Sequence, residues 1–441
     1  MPRLRRRALK GLQKDPSRST STAESACGEN DLQLCITNYC RDNLTPFHGM
    51  NLADHSDDEL IFLAFLLLGL ALFDPLLHIP RRRYRDSALS RQQWVIELIN
   101  GHRDRIFENL RMDVPLFLHL CNLLVEQNYW QQHPTLRVGI HESKAIALVC
   151  LSHNECHRLL SEHFKHSPET VDQLVRRCLR ALVRLGRDII RPRNYNETHP
   201  RILNSEMFYP WFKDCVGAIG GTHISAWFTA ENRTITRKRR RDLSQHVLAA
   251  CDHDMRFVYV QCDWEGSAQD ARVLQEALVA PESNFPMPPV DKYFLVDATY
   301  TNMPGFIAPF RPARGTVQAR ATKSLFNRRQ ASLRSVIERS FDVLKMRFPI
   351  LKGPMQNYLI ATQNNIVFAC CALHNFMREK VSNDDYFAAG AAAGAIEIED
   401  AYEDGYQVPG LQQINMSQQN MAEWNEVCRA MADHMYLHRH Y

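Results

Sequence analysis

Tyr293–Arg311 reads YFLVDATYTNMPGFIAPFR, and the fold turns on how its first five residues are taken. Tyr293, Phe294, Leu295 and Val296 suit a buried strand, and the run closes on a carboxylate, Asp297. Ala298, Thr299, Pro304 and Gly305 follow as small and turn-forming residues. An apolar strand that ends on Asp sets a charge at the carboxyl edge of a sheet, where open α/β folds keep their chemistry. Taken alone, a strand end with a capping Asp is the plainer account, so the neighbouring segments decide.

Upstream, the hydrophobic period is that of strands. Cys215–Phe228, His246–Asp252 and Phe257–Asp263 read as three of them, with Asp252-His253-Asp254-Met255 as the turn between the last two. His253 between two Asp suggests a metal ligand, but turn chemistry accounts for the trio more simply. Ala271–Ala280 reads as a helix leading into the quoted strand. Downstream, Ser332–Phe348 (SLRSVIERSFDVLKMRF) reads as one amphipathic helix with Leu333, Ile337, Phe341, Leu344 and Phe348 as its buried stripe. Glu338 borders that stripe, where a carboxylate can look back over the sheet. The plainer account is a surface Glu bridged to Arg334, worth roughly 0.2–0.5 kcal/mol. Three strands, a helix, a strand ending in Asp and a helix carrying Glu is the element order of an RNase H-like nuclease core, a mixed α/β sheet flanked by helices.

The chain has 441 residues, room for two or three domains, with 45% hydrophobic and 23% charged residues as in a folded soluble protein. A net charge of +4 gives no argument for nucleic-acid binding, so local clusters must carry it. Thirteen scattered cysteines without a signal peptide suggest reduced thiols in an intracellular protein. Cys35–Cys40 and Cys150–Cys156–His157 do not have zinc spacings.

Residues 1–56 read as a disordered basic arm, with Arg3, Arg5, Arg6, Arg7 and Lys10 as an import signal, a phosphate-binding patch or merely solvated charge. Residues 57–92 read as an apolar helix and basic linker. Leu60–Phe73 is uncharged for fourteen residues, short of the ~20 that span a bilayer, so no membrane is expected; Arg81-Arg82-Arg83-Tyr84-Arg85 follows. Residues 93–190 read as helical. Asp113 caps a helix with Pro115 in its first turn and a stripe at Phe117, Leu120, Cys121 and Leu124. Glu142–Leu151, Glu155–Phe164 and Ser167–Leu185 come next, the last capped by Ser167 and Pro168 and closed by Gly186. Arg176, Arg180, Arg184 and Arg187 line one face of it. A short helix, a turn and a helix with an arginine face describe a helix-turn-helix DNA reader; they equally describe a bundle with a solvated basic face. Beyond a polar connector, residues 207–380 form the nuclease-like domain, with Gln363–Lys380 as its last helix. Residues 381–415 read as a linker that includes the Ala/Gly run Ala388–Ile396, and residues 416–441 as a terminal helix over Met416–His438.

The wording of these segments resembles the PIF/Harbinger transposases and the nuclease-like proteins domesticated from them. It does so at GAIGGTHI (Gly217–Ile224), SQHVLAACDHDMRFVYV (Ser244–Val260), WEGSAQDARVL (Trp264–Leu274), the quoted stretch, and LFNRRQASLRSVIERSFDVLKMRFPIL (Leu325–Leu351). RDRIFENLRMDVPLFLHLCNLL and HESKAIALVCLSHN extend it upstream, so the resemblance covers roughly residues 101–380. It implies a DNA endonuclease in which two Asp and one Glu hold Mg²⁺ or Mn²⁺, hard cations that prefer carboxylate oxygens. Asp297 and Glu338 match the second Asp and the Glu. Gly220 stands where the family has the first Asp. Asp214, Asp263 and Asp270 are the remote candidates to replace it. Gln269 and Thr299 are further departures, replacing the family's His and Gly.

The resemblance thus implies a nuclease impaired at its site, a non-catalytic DNA- or chromatin-associated protein, or a decaying transposon copy. It also implies DNA as partner, a separate Myb-like DNA-binding protein, and the nucleus, with the cytoplasm and a homo-oligomer left open. Arg237, Lys238, Arg239, Arg240 and Arg241, between the first two strands, add a candidate phosphate grip or import signal.

Overall fold

The computed structural model describes residues 91–132, 136, 138–226, 244–265, 270–311, 316–355, 358–381, 384–392 and 417–438, together with Ile61. Chain contacts divide the molecule into two compact units, Met1–Asp86 and Ser87–Tyr441. The basic arm, the Leu60–Phe73 helix apart from Ile61, Arg81–Arg85 and Arg237–Arg241 lie outside the described residues. Among the described residues no helix is long and apolar enough to cross a membrane.

The second unit opens with helices α1 (Arg91–Asn100), α2 (Arg103–Leu110), α3 (Val114–Glu126), α4 (Ile140–His153), α5 (His157–Phe164) and α6 (Pro168–Ile189). Asp113 starts α3 by accepting from the Leu116 amide at 3.0 Å, with proline in the first turn where its missing N–H costs nothing. Helix α4 is buried on nearly every side from Glu142 to Ser152, which makes it the centre of this helical layer. Lys165, in the left-handed region at φ 53°, turns the chain from α5 into α6, and Ser167 caps α6 through the Thr170 amide.

The sequence pattern closes α6 at Leu185 with Gly186 as its stop, yet the helix runs on to Ile189. Gly186 is there for close approach: a Cβ at this position would sit 2.6 Å from the Phe368 ring. The helical layer therefore packs directly on the later helix that carries Phe368. A single helical turn, α7 (Pro200–Leu203), breaks the polar connector that follows.

A five-stranded sheet comes next, built from β1 (Cys215–Ser225), β2 (Ser244–Cys251), β3 (Phe257–Glu265), β4 (Tyr293–Leu295) and β5 (Phe306–Ile307), with α8 (Asp270–Val279) between β3 and β4. Its order is β3-β2-β1-β4-β5, with β1–β3 antiparallel and β4 and β5 parallel to β1 and to each other. This mixed sheet, covered by helices, fits an RNase H-like core. Strand β5 has only two residues, too few to show a period, and the sequence reading passes over it.

Side chains alternate across the sheet. Ala218, Val247, Ala249, Leu295 and Ile307 face the large core shared with the helical layer, while Ile219, Leu248, Ala250, Phe294 and Phe306 face a smaller one under α8.

Two helices stand where the sequence predicts one over Ser332–Phe348: α9 (Val317–Arg334) and α10 (Val336–Arg347). Ser335 divides them, its hydroxyl donating to the Ser332 carbonyl at 2.8 Å, a local bond that competes with helix continuation. Helix α11 (Ile360–Lys380) then crosses the sheet and α6. Asn375 on α11 acts as a strand neighbour. It accepts from the Phe257 amide at 2.8 Å and donates to the Phe257 carbonyl at 2.7 Å, while reaching the Ile189 carbonyl of α6 at 3.3 Å.

The expected linker from Ala388 is also corrected. Residues Asp385–Ala392 form helix α12, opened by Asp384, which accepts from the Tyr386 and Phe387 amides and pairs with buried Arg347. Alanine is the best helix former, and Phe387 gives the segment an apolar anchor. Helix α13 (Gln418–Leu437) closes the described chain against α9, burying Cys428, Ala432 and Met435.

Candidate functional site

The site is built where β1, the end of β4 and the start of α10 meet. Strands β1 and β4 run parallel with Ala218 opposite Leu295 as the last pair of the register; Gly220 lies two residues further along β1, and Asp297 two residues past the end of β4. Gly220 is buried beneath α10, and an added Cβ would lie 3.1 Å from Cγ2 and 3.3 Å from Cγ1 of Ile337. Glu338 is the next residue on that helix. Of the three sequence-nominated positions one is a glycine, and a side chain there would press on Ile337.

Both remaining carboxylates are engaged. Asp297 Oδ1 accepts from the Thr299 amide at 2.8 Å and from the Thr299 hydroxyl at 2.5 Å. Thr299 stands where the resemblance has glycine, so this departure ties up the carboxylate it follows. Glu338 accepts from Arg334 Nη2 at 2.8 Å and is 44% exposed, which is the plainer pairing offered by the sequence.

Asp214 lies before β1 and is spent on Lys292, 2.9 Å from its ammonium group, so it does not fill the vacancy. Asp263 belongs to β3, separated from β4 by the two strands β2 and β1, and Asp270 begins α8; their side chains lie outside the described residues. Among the described residues no group of three His, Cys, Asp or Glu side chains could hold a metal ion. Two carboxylates, each already partnered, do not make the three-ligand cage that a pair of divalent cations takes. The side chains at this edge therefore do not fit a metal pair.

Positive charge gathers around the same edge. Lys345, seven residues and two turns beyond Glu338, donates to the Thr222 hydroxyl at 2.7 Å and the His223 carbonyl at 3.2 Å, just past Gly220 on β1. Burial holds its pKa below the ordinary lysine value, with Asp342 opposing. Arg339 is brought down to about 10, first by burial and then by Arg201. The sequence reading passes over Lys345, although its spacing from Glu338 places it on the same helical face.

The arginines of α6 divide. Arg180, Arg184 and Arg187 are exposed and make no described ion pair, whereas Arg176, its side chain 40% exposed, is engaged, with Nε 2.8 Å from Asp172 and Nη1 3.1 Å from the Thr362 hydroxyl. Arg176 thus joins α6 to α11.

Comparison with known proteins follows the same division of the chain. Residues 86–184 match a domain of unknown function (DUF8040), and residues 228–375 match the DDE superfamily endonuclease family. The "Putative nuclease HARBI1" of Rattus norvegicus is 29% identical over 169 residues, which cover 37% of this chain and 46% of that protein. Its Mus musculus counterpart is 31% identical over 135 residues, covering 30% and 37%. "Protein ALP1-like" of Arabidopsis thaliana is 24% identical over 255 residues, covering 54% and 61%. These matches span less than two thirds of each relative's own length. No solved structure matches the chain. The chain carries a DDE superfamily endonuclease domain over residues 228–375 and is similar to Harbinger-derived proteins.

Proposed function

We propose that this chain is a nuclear DNA-binding protein built on a Harbinger-derived nuclease fold, with cleavage lost at Gly220. The observation that carries the reading is that Gly220, buried on β1 beneath Ile337, offers no carboxylate where the resemblance has the first Asp. DNA contact is supported by Arg180, Arg184 and Arg187, exposed on the second helix of the α5–turn–α6 pair in the manner of a helix-turn-helix reader. Arg176 is left out of that contact by its bonds to Asp172 and Thr362. A Myb-like partner, implied by the resemblance, would add sequence recognition.

The competing reading is a metal-dependent endonuclease, favoured by the survival of Asp297 and Glu338. Nicking of supercoiled plasmid by the purified chain in Mg²⁺ or Mn²⁺ separates the two. We expect no nicking above that of Asp297→Ala, together with salt-sensitive binding to duplex DNA. Nicking that disappears in both Asp297→Ala and Glu338→Ala would establish an enzyme, with Asp263 the next residue to replace.

A further inference from the structure

Helix α9 contains Arg320, Lys323, Arg328, Arg329 and Arg334 and not one acidic residue. Its inward face is fixed by Thr322, Phe326, Gln330 and Leu333, all buried. At 100° per residue Arg320 and Arg328 fall on the opposite side and are exposed, while Lys323 and Arg334 lie half-buried on the flank beside Gln330. Among the described residues the helix makes one ion pair, Arg334 with Glu338. Arg329 lies over the Trp211 ring at 4.4 Å, and burial, then Arg328, holds it below the ordinary guanidinium value. Like charges so crowded repel one another, and no described carboxylate relieves Arg320, Lys323 or Arg328.

The helix is also aimed. Gln330 donates to the Val296 carbonyl at 2.8 Å, one residue before Asp297, which pins α9 to the carboxyl edge of β4. At its other end Arg334 touches Glu338. From Arg320 to Arg328 the ridge is ~12 Å long at ~1.5 Å per residue. That matches about three to four base-pair steps of ~3.4 Å.

We infer that the Arg320–Lys323–Arg328 stripe of α9 is a ridge that binds the phosphate backbone of duplex DNA and lays it along the Asp297–Glu338 edge. The inference rests on the DNA-binding reading above and assigns it a second surface, separate from the arginines of α6. Charge complementarity selects the occupant. A membrane surface would require an apolar face to insert, and Phe326 and Leu333 have already buried that face in the core.

The test is binding of the full chain to a labelled random-sequence duplex, by fluorescence anisotropy over a range of salt. In the combined variant Arg320→Gln, Lys323→Gln, Arg328→Gln, three phosphate contacts at ~0.9 counterions each should lower the slope of log K against log [salt] by about 2.7. Affinity near ~0.15 M salt should fall by about tenfold or more. Glutamine keeps a helix propensity close to that of the residues it replaces, so the variant should retain the parental melting temperature. The charge-conserving pair Arg320→Lys, Arg328→Lys should keep the parental slope. A parent that binds DNA with a slope unchanged in the glutamine variant overturns the ridge and leaves the DNA-binding reading standing. A parent without salt-dependent DNA binding removes both. Tighter binding to phosphatidylserine vesicles or to an acidic peptide than to duplex overturns the ridge, as would loss of slope in the lysine variant.

Discussion

Replacing Gly220 with aspartate asks whether room, as well as a ligand, is missing beside Asp297. The backbone accepts the change, since Gly220 lies outside the positive-φ region, but the new Cβ would press on Ile337 at 3.1 Å. Overpacking of this kind costs about 1–3 kcal/mol, and a third carboxylate beside Asp297 and Glu338 adds repulsion. Gly220→Asp alone should therefore lower the melting temperature. Adding Ile337→Ala, which removes both contacting Cγ atoms, should open that space and let Mn²⁺ raise the melting temperature of the double variant, because a metal bound only by the folded chain stabilises it by mass action. A Mn²⁺ shift in the parent that Asp297→Ala abolishes would mean that another group already occupies the vacancy. Burial at single residues also sets the response to acid. His374, with Nε2 2.7 Å from the Met255 carbonyl, and His253 are both pushed down to about 3 by burial. Between pH 6.5 and 3 the unfolded chain binds protons at these two rings that the folded chain refuses, so their stabilising effect is present above pH 6.5 and lost as pH falls. Each ring contributes about 1.4 kcal/mol per pH unit in that window. Urea unfolding between pH 6.5 and 5 should show a slope shallower by one proton in His374→Gln; an unchanged slope would place the ring in contact with solvent.

Among the elements, α11 is the member on which others are hung. Its Asn375 supplies both a donor and an acceptor to the edge of β3 and reaches the end of α6, so one side chain ties the helical layer to the sheet. Asn375→Ala would leave a buried amide and a buried carbonyl of Phe257 without partners, at about 1–3 kcal/mol each. A loss of roughly 2–6 kcal/mol in unfolding free energy is expected, with Asn375→Ser restoring little because it cannot span both groups. A loss under about 0.5 kcal/mol would show that the two bonds carry no net weight. None of this can be read from the sequence, where Asn375 is one polar residue on an apolar helix. Glu338 shows the opposite case: its place at the edge of the α10 stripe follows from period alone, and both of its possible partners, sheet and Arg334, were visible. What period could not show is the break at Ser335, because the competing bond is between a side chain and the backbone three residues earlier.

For the molecule as a whole, the strand–helix order was legible, since apolar alternation and a strand ending on Asp constrain it. Less legible were contacts between segments far apart in the chain. Ile337 closing over Gly220, Gly186 serving a helix crossing and Asp384 opening a helix in an apparent linker all depend on neighbours that no local pattern reveals. The last described helix shows such dependence at its greatest reach. Strand β5 ends the sheet, and α13 covers it there, with Trp424 Nε1 donating to the Phe306 carbonyl at 3.2 Å and Asn425 accepting from Asn302 at 2.8 Å. This cover comes from a segment that follows every described strand in the chain. A chain shortened before residue 418 would therefore leave the border of β5 bare, the kind of edge at which two copies join strand to strand, and is expected to aggregate where the full chain does not.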